Sequence, residues 1–250
     1  MYNIPANTLF IGKPLIYLPT CHSTNDMAGE MLHQPLHEGS VIITSHQQAG
    51  KGQRGNSWEA EPDKNLTFSL ILKPHVLSIS QQFFLNIIIS LAVHEVLTKH
   101  LGNRVKIKWP NDIFFKDFKV GGILIQNFIK KMGIDTSIIG IGLNVNQTAF
   151  IEKRAISMNL ILDKELDLQR ILNELFMSIE HEYLLLKASQ FENLKMEYLS
   201  RLYWINEEHI FRDSDLFKGR ITGIDELGRL QVETAGGTKA FNFKEIEFIE

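Results

Sequence analysis

Gly50-Lys51-Gly52-Gln53-Arg54-Gly55-Asn56-Ser57-Trp58 is the stretch on which the reading of this chain turns. Three glycines and two cations fall within six residues, between two runs, residues 41–45 and 66–72, that read as strands. Glycines let backbone N–H groups approach a ligand closely, and Lys51 and Arg54 add positive charge at the same place. That pairing suits an anionic, phosphate-bearing ligand. Gly50, Gly52 and Gly55 formally match the dinucleotide fingerprint G-x-G-x-x-G, but that fingerprint must open a helix. Here Asn56-Ser-Trp-Glu-Ala-Glu-Pro62 follows, with a proline and no apolar helical period, and no Walker sequence occurs. The plain alternative is a long polar hairpin.

Working outward, residues 15–18 form a short strand ended by Pro19, and Ser23 or Thr24 caps a helix reaching residue 32. Ser78 or Ser80 opens a long helix to Leu101, with Phe84, Ile87, Ile88, Leu91 and Val96 as its buried face and Gly102 as its stop. Residues 105–108, 113–115, 120–125 and 137–145 read as strands, the first two joined by a turn at Trp109-Pro-Asn-Asp112. Strands linked this closely form hairpins, so the sheet is expected to be mixed or largely antiparallel. Residues 168–186 and 191–202 are amphipathic helices. From residue 208 onward, short β segments are punctuated by Gly223, Gly228, Gly236 and Gly237. The expectation is an α+β protein: a catalytic domain over 1–203 and a small β-barrel-like domain over 204–250 that relies on docking for stability.

A net charge of −3 argues against general affinity for nucleic acid or acidic membranes. Cys21 is the one cysteine, so no intrachain disulfide or cysteine-based zinc site can form, which fits a reducing, cytoplasmic compartment. The N-terminus lacks the signature of a signal peptide, and the apolar helix is expected to be too short to span a bilayer. A thiol nucleophile at Cys21-His22 is disfavoured, because adjacent residues in an extended segment point apart. The histidines show no metal-ligand spacing.

Two further stretches carry chemistry. In Lys106-Ile-Lys108 the strand period puts both lysines on one face, and Trp109-Pro-Asn111-Asp112 follows at once, with Lys119 beside Gly121-Gly122. A lysine, a carboxylate and a close-approach glycine pair within fifteen residues look like a site. Gly140-Ile-Gly-Leu-Asn144 places an amide at a strand end, where it can pair with a nucleobase edge or merely close a turn.

Taken together, Ser23-Thr-Asn25, Gln47 with Gly50 to Trp58, Lys108-Trp-Pro-Asn-Asp112, Lys119-Val-Gly-Gly-Ile-Leu124 and Gly140 to Asn144 resemble the biotin protein ligases. The resemblance covers roughly residues 15–146, and Gly219-Arg-Ile-Thr-Gly-Ile-Asp225 with Gly228 extends it to the C-terminal part. It implies a catalytic domain similar to class II aminoacyl-tRNA synthetases, with a mixed sheet, followed by an SH3-like β-barrel. About fourteen residues precede the first strand, so the winged-helix, repressor form of the family is not expected.

The activity so implied is ATP-dependent: biotin is activated as biotinyl-5′-AMP and transferred to a lysine of a biotin carboxyl carrier domain, as in acetyl-CoA carboxylase. By resemblance, Ser23, Thr24, Asn25 and Gln47 take the biotin ureido head, with Lys51, Gly52, Gln53, Lys119, Gly121 and Gly122 completing the biotin site. Gly50, Gly55, Trp58, Asn111 and Asn144 fall to ATP and the adenylate. Lys108, Arg54 and Asp112 are the catalytic candidates, Asp112 to orient or deprotonate the incoming amine. Mg²⁺ is expected to arrive with ATP rather than in a fixed protein cluster. The family's edge strands make a homodimer conceivable. The loop departs from the usual G-R-G-R-x-G-R: Lys51, Gln53 and Asn56 stand at three of its arginine positions, leaving Arg54. Two competing readings are a lipoate-protein ligase, whose ligand lacks the ureido ring, and a non-catalytic nucleotide- or RNA-binding module.

Overall fold

The computed structural model describes residues 2–5, 7–130 and 133–249, with the backbone alone at Arg54. Its first strand, β1 (Leu15–Cys21), runs through Pro19, where the sequence predicted a stop. β1 lies at a sheet edge, paired only with β2 (Val41–Gln47), and an edge strand tolerates proline where the missing N–H faces away from its neighbour. Between them lies α1 (Thr24–Glu30), capped by Ser23, whose hydroxyl accepts from the Asp26 N–H. After β2 the glycine-rich stretch folds into a small ribbon, β3 (Gly50–Lys51) against β4 (Ser57–Trp58). β5 (Leu66–Leu72) follows, with the bounds its sequence predicts.

A capping box between Ser78 and Gln81 leads into α2 (Phe83–Leu101), and Gly102 ends it at φ +79°. β6 (Val105–Lys108), β7 (Asp112–Phe115), β8 (Phe118–Lys130) and β9 (Gly133–Leu143) are joined as successive hairpins. The sheet has seven strands in the order β1-β2-β5-β9-β8-β7-β6; β1–β2 is parallel and every other pair antiparallel. This is the mixed sheet the short links predicted. α3 (Met158–Leu162), α4 (Leu168–Lys187) and α5 (Phe191–Ser200) follow, α4 capped by Asp167.

The sequence predicted one buried face for α2. Leu85, Ile87, Ile88, Ile89, Ser90 and Val93 are all buried, which takes in most of its circumference. The sheet strands β6, β7 and β8 pack on one side, and α4 and α5 on others. A helix apolar over most of its surface is what such a central position requires. The continuous stretch Ile79–Leu101 is also long and apolar enough to cross a membrane by length and composition, correcting the expectation that it is too short. Most of it is packed inside the protein.

The two faces of the sheet differ. Val41, Ile43, Phe68, Leu70, Ile139 and Ile141 join the main core with α2 and α4, while Ile42, Ile71 and Ile138 pack with Ala28 and Leu36 beneath α1. Along that second face, two-residue steps carry β5 from Ile71 to Ser69 and Thr67, and β9 from Ile138 to Gly140 and Gly142. These steps stay in register, with Ile71 opposite Ile138, Ser69 opposite Gly140 and Thr67 opposite Gly142. The α1 face thus changes along its own strands from apolar side chains to hydroxyls and glycines.

The C-terminal residues form an antiparallel five-stranded sheet: β10 (Glu208–Arg212), β11 (Leu216–Ile224), β12 (Leu230–Thr234), β13 (Gly237–Phe241) and β14 (Glu247–Ile249). The Trp109 indole N–H donates to the Gly228 carbonyl at 3.0 Å, and the Phe243 ring lies 5.3 Å from that of Trp109. Gly228, at φ +81°, sits so close to Phe83 that a Cβ would fall 2.1 Å from its ring. This contact carries part of the C-terminal sheet to the rim of the cleft described next.

Candidate functional site

At the glycine end of the α1 face the sheet opens into a cleft of about 1010 Å³. Its floor is Thr67 on β5, Gly140 and Gly142 on β9, and Gly122 on β8, with Gly122 and Gly142 directly paired. Side chains are missing where the strand period would point them at a ligand. That absence is what makes the cleft.

One end of the floor is a buried polar cluster. Ser69 Oγ lies 2.8 Å from Thr24 Oγ1 and 2.6 Å from Asn25 Oδ1. A hydroxyl has one proton, so if Ser69 donates to Asn25, Thr24 supplies the second hydrogen bond. The Asn25 amide N–H₂ donates to the Leu124 carbonyl and to Gln126 Oε1, at 3.3 and 3.2 Å. Gln47 Oε1 accepts from the Thr24 backbone N–H at 2.8 Å. Asn25 fits only because Gly140 lies beneath it: a Cβ there would be 2.4 Å from Asn25 Oδ1. Ser23, Thr24, Asn25 and Gln47, predicted to act together, are together, and all are buried.

The glycine-rich ribbon covers the floor. Its N-terminal end is tied down by the Gln48 and Ala49 N–H groups, which donate to the Cys21 and His22 carbonyls. Trp58 turns inward, and its ring lies on Gly142 and Gly122, where a Cβ would come within 2.3 and 3.1 Å of it. The Trp58 indole N–H is buried without a partner among the described residues. Gly50 does not line the cleft; a Cβ there would meet the Trp58 carbonyl at 2.3 Å, so this glycine serves ribbon pairing. Gly55 takes φ +90° at the ribbon turn. Lys51, Gly52, Gln53 and Gly55 do line the cleft, and the side chain of Arg54 lies outside the described residues.

Three lysines approach from different elements. Lys51 pairs with Asp26 of α1 at 2.7 Å, fastening the ribbon to the helix. Lys119 pairs with Asp112 at 2.7 Å, and its Nζ stands 5.6 Å from the Trp58 ring centroid. Lys108 Nζ lies 4.6 Å from the Phe114 centroid and 4.9 Å from that of Phe248, a cation–π setting that holds the ammonium at the cleft wall. Asn111 commits its amide to the Ile123 carbonyl and accepts the Ile123 N–H in return, clamping β7 to β8 at the cleft wall. Asn144 donates to the Ile156 carbonyl at 3.2 Å, while its Oδ1 is buried with no partner among the described residues. That oxygen is an acceptor with nothing to accept from.

Gly121 points the other way. The strand period that brings Gly122 to the floor sends Gly121 against Leu143 and Ile113, so it is not a lining residue. Several lining residues lay outside the predicted set: Thr67, Gly140, Gly142, Arg154, and, from the C-terminal sheet, Phe243, Lys244 and Phe248. Ser69, beneath the polar cluster, was also unpredicted. The two-residue period with a known register finds the floor residues; nothing local announces those from the C-terminal part. No group of three or more His, Cys, Asp or Glu side chains suited to a metal occurs among the described residues.

Residues 17–146 match the Biotin/lipoate A/B protein ligase family, and residues 210–248 match the Biotin protein ligase C terminal domain. The Bifunctional ligase/repressor BirA of Escherichia coli (strain K12) is 30% identical over 242 residues, covering 94% of this chain and 74% of that protein. A Biotin--[acetyl-CoA-carboxylase] ligase of Paracoccus denitrificans is 34% identical over 112 residues, or 43% of this chain and 45% of that one. Among solved structures, biotin protein ligase from Aquifex aeolicus in complex with biotin and ATP superposes with a TM-score of 0.79 at 26% identity, covering 95% of this chain and 99% of that one.

Proposed function

The chain belongs to the Biotin/lipoate A/B protein ligase family, and on that premise we propose that it activates biotin with ATP as biotinyl-5′-AMP and transfers the biotinyl group to a lysine of a biotin carboxyl carrier domain. The observation that carries this reading is the polar cluster of Thr24, Asn25, Gln47 and Ser69 at one end of a glycine-floored cleft, with Lys119 beside it. A ureido head offers donors and an acceptor together, and this cluster offers the complement. Lipoate lacks that head and gives the cluster nothing to bind, which disfavours the lipoate reading.

In the first step a biotin carboxylate oxygen attacks the α-phosphorus of ATP, and the bond to the β-phosphate oxygen breaks to release pyrophosphate. An anion meets a polyanion, so cations at the meeting point lower the barrier. We assign that task to Lys108 and Lys119 at the cleft wall, with Lys51 and Arg54 on the ribbon. The unpartnered Asn144 Oδ1 is suited to accept from the adenine amino group, and the Trp58 ring to stack on the base. Mg²⁺ enters as part of the MgATP substrate; among the described residues no His, Cys, Asp and Glu cluster suited to hold it occurs.

In the second step the carrier lysine amine attacks the acyl carbon, the bond to the phosphate oxygen breaks, and AMP leaves with that electron pair. Asp112, held against Lys119 at 2.7 Å, is assigned to orient the incoming amine and take its proton. The ribbon keeps water from the acyl phosphate by covering the floor. The same proposal includes the finer fold descriptions: a class II synthetase-like unit over 1–203 and an SH3-like barrel over 204–250. It also includes a cytoplasmic setting, and a homodimer as an assembly the sheet edge permits.

Incubation with ATP, radiolabelled biotin and a carrier domain tests the reading. Label is expected on the carrier lysine, with pyrophosphate released when the carrier is omitted. Absence of both would leave a non-catalytic module as the better account.

A further inference from the structure

A second cavity of about 660 Å³ opens between α2, α4 and α5. Its lining is unlike that of the first. Leu185 of α4 with Leu194 and Met196 of α5 supply apolar wall, while Glu95 of α2, Glu182 of α4 and Glu197 of α5 converge from three helices. Two of these carboxylates are engaged: Glu95 accepts from the Ser178 hydroxyl, and Glu197 pairs with Arg201. Glu182 is different. It is only 8% exposed, yet its carboxylate makes no hydrogen bond or ion pair among the described residues, and it lines the cavity.

The Glu182 oxygens are open to the cavity, and a charge that is partly desolvated there favours a cationic partner. Three glutamates against one arginine leave the cavity with an excess of negative charge, since Arg201 pairs with Glu197 and acts on Glu182 only at longer range. No metal-suited cluster exists here among the described residues, so the complement is an organic cation rather than a bare ion. The apolar wall then selects its shape: a hydrocarbon stem lying along Leu185, Leu194 and Met196, with a charged head at Glu182.

We propose that this cavity binds an aliphatic primary ammonium, as a free small amine or as a lysine side chain presented by another protein, with Glu182 as its counter-ion. Neither the biotin reaction nor its site residues involve this cavity. Burial, together with the negative charges of Glu95 and Glu197 and against the pull of Arg201, pushes the Glu182 carboxyl up to about 7. Binding of a cation therefore draws a proton off Glu182, and affinity rises from pH 6 to pH 8 as the carboxyl ionises. The other ionisable groups facing the cavity are His181 of α4 and Arg201 at the end of α5, both retained in Glu182→Gln.

The test uses the full chain and 1,5-diaminopentane as probe, with 1,5-pentanediol as the neutral control of equal length and a lysine-containing peptide as the second source. Calorimetry is expected to show saturable binding of the diamine, no binding of the diol, and at least tenfold weaker diamine binding in Glu182→Gln. Methyl NMR of the wild-type chain should place the shifts at Leu185, Leu194 and Met196, a readout that does not depend on any variant folding. A peptide binding more tightly than the diamine identifies the lysine source, and the reverse identifies the free amine. Equal binding of diol and diamine, unchanged affinity in Glu182→Gln, methyl shifts elsewhere, or no binding at millimolar probe would each overturn the proposal. None of these readouts involves biotin, so they are independent of the ligase reading.

Discussion

One face of one sheet is used in two ways along its length. Near α1 the face is closed by Ile42, Ile71 and Ile138, all fully buried. Two residues further along β5 and β9 come Ser69 and Gly140, and two beyond that Gly142, where the face opens into the cleft. The backbone hydrogen bonding is continuous across the boundary, so the difference lies in side chains alone. A β-sheet makes a site here by leaving out atoms at positions of one parity, on a platform that remains rigid because its closed half is densely packed. Stability and binding should therefore separate along this face, and substitutions can break that separation or sharpen it.

The largest effect is expected at the closed end. Ile71→Ala removes most of a side chain that is fully buried opposite Ile138, and such truncations cost roughly 2–5 kcal/mol. Denaturant melts should show that loss, while the biotin KM measured well below the melting temperature should stay within about twofold. A large rise in KM would mean that the closed half positions ligand after all.

Gly140→Ala is the reverse case. Its Cβ would stand 2.4 Å from Asn25 Oδ1, and Asn25 is held by Ser69, Leu124 and Gln126, so it cannot withdraw freely. Displacing a positioned amide by about 1 Å commonly costs about a hundredfold. The expected outcome is a biotin KM raised by about that factor, with the midpoint of unfolding changed far less than in Ile71→Ala. Biotin binding at wild-type strength would remove Asn25 from the ureido assignment.

The sequence made part of this boundary readable. The strands of the floor, the mixed sheet and a cap at Ser23 or Thr24 follow from local residue chemistry, whereas the grouping of Ser23, Thr24, Asn25 and Gln47 comes from the family resemblance. Register does not. Gly121 and Gly122 are equivalent in the sequence, and only pairing with β9 shows that Gly122 faces the cleft while Gly121 faces Ile113. Ser69 reads as one more small residue in a buried strand until Gly140 is found opposite it and Asn25 above it. Phe248 reaches Lys108 from the far end of the chain, a contact no local pattern can announce. For α2 the reason is the same: a buried face is visible in a sequence, but being enclosed over most of the circumference depends on where α4 and α5 pack.

A smaller effect is expected from Ser69→Ala. The hydroxyl links Thr24 to Asn25, and its loss leaves both reaching for a partner in a buried setting. Losing such a link costs about 1–2 kcal/mol. If the cluster is ordered for ligand rather than for the fold, that cost should fall mainly on biotin affinity, roughly tenfold, with a minor change in melting temperature. A drop in stability with affinity preserved would move Ser69 to the structural half of the face.

The smallest effect concerns the ribbon that covers the open end. The ribbon contributes Gln53 to the cleft wall, a neutral amide where the family pattern has an arginine, and Lys51 is already paired with Asp26. Adenylate held by fewer cations should escape more readily, whereas the glycine floor that shapes the pocket is unaffected by ribbon charge. Gln53→Arg restores one cation close to the phosphate. At a partly exposed position a single charge-assisted contact is worth about 0.5–1.5 kcal/mol, so release of preformed labelled adenylate into an unlabelled chase should slow by about three- to tenfold. The gain should shrink as salt is raised, because exposed charges are screened within about 8 Å at physiological ionic strength. Biotin KM should hardly move, since the ureido cluster lies on α1 and the sheet and not on the ribbon. An unchanged escape rate at low salt would show that the floor alone retains the intermediate, making the open half of the sheet both the binding surface and the barrier to loss.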